Sequence, residues 1–258
     1  MLDSLYIAAT GMQAQQLGVE TISNNLANVN TTAYKRGRVA FQDLLYREAT
    51  RASALLGGEA AARFGAGTGV ADTTKLFADG DLKKTDGPLD LALRGAGFFE
   101  VTLPDGSRAY TRDGALRINK DGLVSTADGH VLLPALQVPN EATELLVDTT
   151  GLVTARLPNE AQPVEVGQIE LARFVNPAGL SALGNNLYVA TDRSGDALHG
   201  KPGEAGFAML AQGFLEASNV KLTDELVGLV LAQRAFEVNA RAVQVSDELL
   251  SLVNNLRR

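Results

Sequence analysis

Residues 105–130 read DGSRAYTRDGALRINKDGLVSTADGH. Asp-Gly pairs stand at 105–106, 113–114, 121–122 and 128–129, separated by short runs rich in apolar and β-branched residues. Asp-Gly accepts the positive φ that a two-residue hairpin turn demands. The spacing predicts antiparallel strands at Phe98–Leu103, Arg108–Thr111, Ala115–Asn119, Leu123–Thr126 and His130–Leu133. Further out, Glu144–Asp148, Leu152–Leu157, Val164–Phe174 and Asn186–Thr191 have the same character. The expectation is an antiparallel meander forming a β-sandwich or small barrel over residues 72–212.

On both sides of this region the period changes from two to seven. Near the start, Leu5, Met12, Val19 and Leu26 recur every seventh residue, with Ala8, Gln15, Ile22 and Val29 in step three residues behind. Near the end, Leu222, Leu229, Phe236, Val243 and Leu250 repeat likewise, beside Leu226, Gln233 and Ala240. Two such columns form the seam of a heptad helix. A third column, Ser4, Gly11, Gly18 and Asn25, is small or polar; glycine in mid-helix is unfavourable, so a repeated one suggests close approach by a neighbour. Asn219 or Thr223 could cap the second helix, and Asp224 and Glu225 suit its first turn. The expected fold class is α+β, with paired, coiled-coil-like N- and C-terminal helices and a central antiparallel β domain.

Between the first helix and the β region lie two stretches without a periodic core. Residues 23–38, SNNLANVNTTAYKRGR, are rich in Asn and Thr, which bond locally to backbone and end helices. Residues 46–70 hold seven Ala and five Gly and read as an extended arm, with one helical turn expected at Glu59–Arg63. The expected domains are therefore 1–38 (helix and turn), 39–71 (arm), 72–212 (β domain) and 213–258 (C-terminal helix).

Composition narrows the chemistry. The 258 residues carry a net charge of −7 and no basic block, which argues against nucleic-acid or anionic-membrane partners. There is no cysteine and there are two histidines, His130 and His199, so thiolate metal sites, disulfides and cysteine nucleophiles are excluded. Both histidines sit in turn contexts, Gly65, Gly67 and Gly69 lack the surroundings of a phosphate loop, and Asp79, Asp81 and Asp86 lack calcium-loop spacing. No catalytic, cofactor or metal residue is expected. The first basic residue is Lys35, so no secretory signal is expected, and the glutamines at 13, 15 and 16 exclude a membrane span near the start. Composition alone would place the chain in the cytosol.

A helix with one narrow apolar stripe frays alone. The two terminal helices carry matching stripes, and the residues expected to form their seams and subunit contacts are Leu5, Met12, Val19, Ile22, Leu26, Val29, Leu222, Leu226, Leu229, Phe236, Val243 and Leu250. The physical reading is an oligomerisation device, with a hairpin packed on its own β domain as the competing one.

The ends also resemble a known family. Ser23-Asn24-Asn25-Leu26-Ala27-Asn28-Val29-Asn30-Thr31 followed by Ala33-Tyr34-Lys35-Arg36 resembles the N-terminal signature of bacterial flagellar rod and hook proteins. Leu215-Glu216-Ala217-Ser218-Asn219-Val220, leading into Glu225-Leu226-Val227 and Gln233-Arg234-Ala235-Phe236-Glu237-Val238-Asn239, is similar to the C-terminal signature. Gly95-Ala96-Gly97-Phe98-Phe99, Tyr110-Thr111-Arg112-Asp113-Gly114 and Asn185-Asn186-Leu187-Tyr188 look like landmarks of the same family. Length, arm and single β domain are most similar to subunits of the distal rod.

The resemblance implies a non-enzymatic subunit that stacks helically into a hollow drive shaft. The helices would surround an export channel, the β domain would face bushing rings, and the arm would touch axial neighbours. It implies further copies of the chain, proximal rod and hook proteins as partners. It also implies export through the flagellar type III apparatus to the periplasmic span of the basal body, in place of the cytosolic default. A proximal rod subunit and a peptidoglycan-binding or -hydrolysing β module are the alternatives.

Overall fold

The computed structural model describes residues 2–44, 47–48, 63–139, 141–158 and 162–256. Residues 45–46 and 49–62 of the expected arm, and with them the expected turn at Glu59–Arg63 up to Ala62, lie outside the described residues. The chain is α+β, with one long helix near each end and antiparallel strands between, and divides into two compact units.

The first unit comprises residues 1–27, 37–75 and 221–258. It contains helix α1 (Leu2–Ala27), strands β1 (Gly37–Asp43), β2 (Arg47–Glu48), β3 (Arg63–Phe64) and β4 (Thr68–Lys75), and helix α2 (Leu222–Leu256). Asp3 in the first turn of α1, and Asp224 and Glu225 in that of α2, complement the partial positive charge of a helix start. β1 pairs with β4 from Gly37↔Lys75 to Asp43↔Thr68, with a shift in register between Ala40 and Phe41, and β2 pairs with β3. The flanks of the expected arm are thus a β-ribbon beside α1. Neither expected cap serves α2, which starts at Leu222, beyond Asn219. The Asn219 side chain is engaged elsewhere, by Arg36 and Leu76.

The second unit comprises residues 28–36 and 76–220. The Asn/Thr-rich turn therefore groups with the β region and not with the helix it follows. Its strands are β5 (Leu82–Lys84), β6 (Leu91–Arg94), β7 (Phe98–Thr102), β8 (Arg108–Thr111), β9 (Leu116–Ile118), β10 (Val124–Thr126), β11 (Val131–Leu133), β12 (Glu144–Val147) and β13 (Leu152–Arg156). They continue with β14 (Val164–Gln168), β15 (Leu171–Arg173), β16 (Ser181–Gly184), β17 (Leu187–Val189), β18 (Leu198–Gly200), β19 (Met209–Gln212) and β20 (Phe214–Glu216).

The main sheet runs β16-β17-β8-β7-β11-β10-β9, with β15 and β18 branching from β7. It is open, and no sheet among the described residues closes, so the expected barrel does not form. Three of the four Asp-Gly pairs turn as expected: Gly106, Gly122 and Gly129 have φ of 81°, 79° and 89°. Asp113-Gly114 does not join a hairpin. Its glycine is needed because a Cβ there would collide with the backbone carbonyl of Leu91. The expected meander is therefore broken between β8 and β9, and β11 returns to pair with β7 instead.

Strand β7 is buried on both faces. Phe99 and Val101 point into a large aliphatic core with Leu91, Leu132, Leu171 and Leu210. Phe98 points the other way, into an aromatic core with Tyr110, Phe174 and Tyr188. Rings in this second core meet edge-to-face, Tyr110 and Phe174 at 4.8 Å between centroids, the geometry their quadrupoles favour. Strands covered on both sides lose the alternation of a half-buried strand and read as continuous apolar runs.

Candidate functional site

Two arrangements bring the terminal signatures into use. The first is the helix pair. Ser4 Oγ lies 3.3 Å from Ser246 Oγ, and Asn25 Nδ2 donates to Glu225 Oε2 at 3.1 Å. Between them, a Cβ on Gly11 would come within 2.8 Å of Asn239 Nδ2, and Ile22 Cδ1 lies 3.5 Å from where a Cβ on Gly228 would be. Each seven-residue step forward on α1 is a seven-residue step back on α2. The helices are antiparallel, in one continuous register. The contact line on α1 runs through Ser4, Gly11 and Asn25, opposite Ser246, Asn239 and Glu225, while Gly18 of the same column faces the Phe41 ring of β1, 3.9 Å from where its Cβ would be. Residues without bulk let helix backbones approach closely.

Asn25 locks the upper end of this line. Besides donating to Glu225, its Nδ2 donates to Gly37 O at 3.0 Å, and its Oδ1 accepts from Gly37 N at 2.8 Å. One buried amide thereby ties α1, α2 and the start of β1 together.

The columns read from the sequence stand beside that line. Leu5, Met12, Val19, Ile22 and Leu26 on α1 are half-buried, as are Leu229, Val243 and Leu250 on α2. Leu222, Leu226 and Phe236 are exposed. Val29 is half-buried in the second unit. The small and polar residues Ser4, Gly11 and Asn25 thus make the direct contacts with α2 together with Ile22, which packs on Gly228, and Leu222, Leu226 and Phe236 keep much of their surface open. Gln233 is exposed, which removes the penalty of an unpaired amide inside a seam.

The second arrangement is a buried ionic clasp within the β unit. Lys35 Nζ sits 2.6 Å from Glu216 Oε1 and donates to Ala78 O at 2.7 Å. Arg112 Nε donates to Glu216 Oε2 at 2.8 Å, and its Nη2 to Asp79 Oδ1 at 2.9 Å. Gly80 N donates to Glu216 Oε1 at 2.8 Å. Lys35, Arg112 and Glu216 are fully buried or nearly so, while Asp79 is half open to solvent. Two cations face two carboxylates, so the group is balanced in charge.

Burial lowers the Lys35 pKa, and the neighbouring Arg112 adds to this; Glu216 opposes both without reversing them. Burial alone would raise the Glu216 pKa, but Arg112 and Lys35 together hold it below the ordinary carboxylate value. Burial also raises the phenol of nearby Tyr188.

Backbone bonds complete the clasp. Ala33 N donates to Glu216 O at 2.8 Å and Leu76 N to Arg36 O at 3.0 Å. The Asn219 side chain accepts from Arg36 N at 2.8 Å and donates to Leu76 O at 2.7 Å. Asn186 Nδ2 donates to Thr32 O at 2.8 Å. Three chain segments, around residues 33, 77 and 217, are thereby fastened side by side. Every polar group in the clasp named above has its partner, which suits a fixed joint and offers no reactive atom.

Comparison with known proteins follows the same segments. Residues 5–35 match the family described as flagella basal body rod protein. Residues 92–155 match the flagellar hook protein FlgE/F/G D1 domain, and residues 211–256 the flagellar basal body rod FlgEFG protein C-terminal region. The flagellar basal-body rod protein FlgG of Borreliella burgdorferi is 42% identical over 268 residues, covering 100% of both chains. That of Caulobacter vibrioides is 41% identical over 261 residues, 99% of this chain and 100% of its own. The Bacillus subtilis FlgG is 35% identical over 266 residues, again 100% of each.

The chain belongs to the flagellar basal-body rod protein family. It is a structural subunit of the basal body and not an enzyme.

In this rod protein the signature residues divide between the two arrangements. Asn25 serves the helix pair; Lys35 and Asn219 serve the clasp. Leu26 is half-buried at the end of α1, where Asn24 and Ala27 are exposed. Asn28 Oδ1 accepts from Thr31 Oγ1 at 3.1 Å in the following turn, Tyr34 and Val220 are buried, and Ser218 Oγ accepts from Val220 N at 3.3 Å. Gln233 and Phe236 are exposed on α2, as is Arg234, which pairs with Glu237 at 3.0 Å. His199 Nδ1 stands 3.3 Å from Glu100 Oε2. Arg112 and Glu216 were visible as parts of sequence landmarks, but their joint role was not.

Proposed function

We propose that this subunit polymerises helically into the distal rod, the drive shaft of the flagellar basal body, transmitting torque and surrounding the export channel. Identity to basal-body rod proteins over the whole length carries the reading. The helix pair supports it: Leu222, Leu226 and Phe236 of the heptad columns stay exposed in the subunit, where they can meet neighbouring copies in coiled-coil-like fashion. A contact between two different surfaces that does not close gives an open helical filament. Leu5, Met12, Val19, Ile22, Leu26, Val29, Leu222, Leu226, Leu229, Phe236, Val243 and Leu250 are the residues assigned to subunit contacts.

Proximal rod and hook proteins are the axial partners in this reading, and the bushing rings the surrounding ones. The chain reaches the periplasmic span through the flagellar type III apparatus. Among the described residues no helix is long and apolar enough to cross a membrane.

Electron microscopy of basal bodies from a deletion strain tests this. Particles that stop at a short rod, without hook or outer rings, are expected. Loss of the proximal rod as well would move the subunit toward the cell body. Intact hooks would overturn the reading.

A further inference from the structure

Helix α2 carries a column that periodicity did not single out. Leu231, Val238, Val245 and Leu252 recur every seventh residue and are 65%, 66%, 54% and 59% exposed. They stand two residues on from Leu229, Phe236, Val243 and Leu250. Two residues of helix turn the side chain through about 200°, so the two columns lie on opposite flanks of the α1 contact. A helix of this kind has one face for its own chain and two for others.

The same unit offers a groove between α1 and β4. Ala14, Leu17 and Val70 line it beside the polar Gln13, Gln16 and Thr68, and Glu20, which accepts from Gln16 Nε2 at 3.1 Å, is the one charged residue among those lining it. Val70 and its cross-strand partner Phe41 are both exposed, extending the apolar surface along the ribbon. Along α1 the groove runs from Thr10 to Glu20, about 15 Å at 1.5 Å per residue. Val238 and Val245 are seven residues apart, about 10.5 Å on the same measure, so both fit within that length. Arg241 lies between them in sequence and Arg234 one turn before them, both exposed. The column thus presents two valines flanked by arginine, and the groove Ala14, Leu17 and Val70 between amide side chains, with one glutamate.

We infer that the α1–β4 groove of one copy receives the Val238–Val245 stretch of α2 from a second copy, with Arg241 facing Glu20. This rests on the rod reading, since only an assembling subunit brings copies together. It names the two complementary surfaces that an open assembly requires. It also gives the exposed column and the groove a common purpose.

The chain has no cysteine, so engineered ones report without background. Two differently tagged versions are co-expressed in the deletion strain, Leu17→Cys in one and either Val238→Cys or Val245→Cys in the other, and isolated basal bodies are oxidised. A disulfide-linked dimer carrying both tags, absent when either version is expressed alone, is expected. Rods that assemble without any such dimer overturn the docking and leave the rod reading standing, as does a dimer between two Val238→Cys copies. A deletion strain that still builds complete rods and hooks overturns the rod reading itself. Exposed charges give a second measurement independent of cysteine. Glu20→Arg and Arg241→Glu should each shrink the swarming zone, and the double variant should regain it. Single losses without recovery in the double variant count against the contact.

Discussion

Lys35 and Glu216 stand 181 positions apart in the chain, and their charged atoms meet at 2.6 Å with no exposure to solvent. One lies at the end of the N-terminal signature and the other at the start of the C-terminal one. A buried pair is seldom a large net gain in stability, because desolvation offsets much of the attraction. Its partners are more sensitive to being left alone. Glu216 holds two cations and a backbone amide, so its loss strands more than the loss of Lys35 does.

Glu216→Gln should therefore destabilise the subunit by about 3–5 kcal/mol, the range for breaking a buried pair. Lys35→Met leaves Glu216 on Arg112 and should cost less, about 1–3 kcal/mol. The double variant should fall short of the sum by about 0.5–3 kcal/mol, as expected for residues in one network. Urea midpoints of the purified full chain measure all three. Equal losses in the two single variants would refute the ranking.

The same cluster sets a pH dependence of stability. The folded Glu216 pKa is depressed, so its contribution is fully present above the ordinary glutamate value of about 4.3 and is lost as pH falls through the lower folded value. The folded Lys35 pKa is also depressed. Between that value and the ordinary lysine value of about 10.4 the unfolded chain binds the extra proton, so stability rises with pH there. Thermal unfolding across pH should show both limbs. Glu216→Gln should flatten the acid one and Lys35→Met the alkaline one.

The heptad columns were legible because large apolar residues at a period of seven are conspicuous. Which column faces which helix was not. Gly11 and Gly228 add nothing to a hydrophobic pattern, yet they mark the line where the two helices come close. Local turn chemistry was legible in the same way, and Gly106, Gly122 and Gly129 turn as their Asp-Gly pairs imply. Gly114 did not, because its conformation answers to the Leu91 backbone, and β6 in turn pairs with β19, from Leu91↔Gln212 to Arg94↔Met209. Val164–Phe174 was expected as one strand and is two, β14 pairing with β13 and β15 with β7. Partnerships across such separations leave no mark on the local pattern. The clasp is the extreme case: Lys35, Arg112 and Glu216 each stand in a recognisable motif, and only the fold reveals that they share one site.

Two glycine replacements should separate close approach by a side chain from close approach by backbone. At Gly11 the atom met by a new Cβ is the end of the Asn239 amide, which can swing aside, while alanine gains about 1 kcal/mol of helix propensity. Gly11→Ala should be close to neutral, and Gly11→Leu should open the helix pair. At Gly80 the new Cβ would collide with the Ala217 carbonyl, which the clasp holds in place. Gly80→Ala should destabilise by about 1–3 kcal/mol, the usual range for overpacking. Unfolding midpoints of the three variants provide the comparison, and a Gly80→Ala variant as stable as Gly11→Ala would contradict the fixed backbone.

Phe236 offers the sharpest separation of folding from assembly. Its side chain is 40% exposed in the subunit, on the flank of α2 beside the column that meets α1. An aspartate there meets water in the free subunit, so the unfolding midpoint of the β unit should stay unchanged. In a subunit contact the same carboxylate would be buried without a partner, at a penalty of several kcal/mol. Phe236→Asp should accordingly yield a folded protein that fails to support motility, and Val230→Asp, also on exposed α2 surface, serves as a positional control. Basal bodies from the Phe236→Asp strain should lack the rod segment that this subunit supplies. Normal swimming of that strain would remove the Phe236 column from the assembly interface.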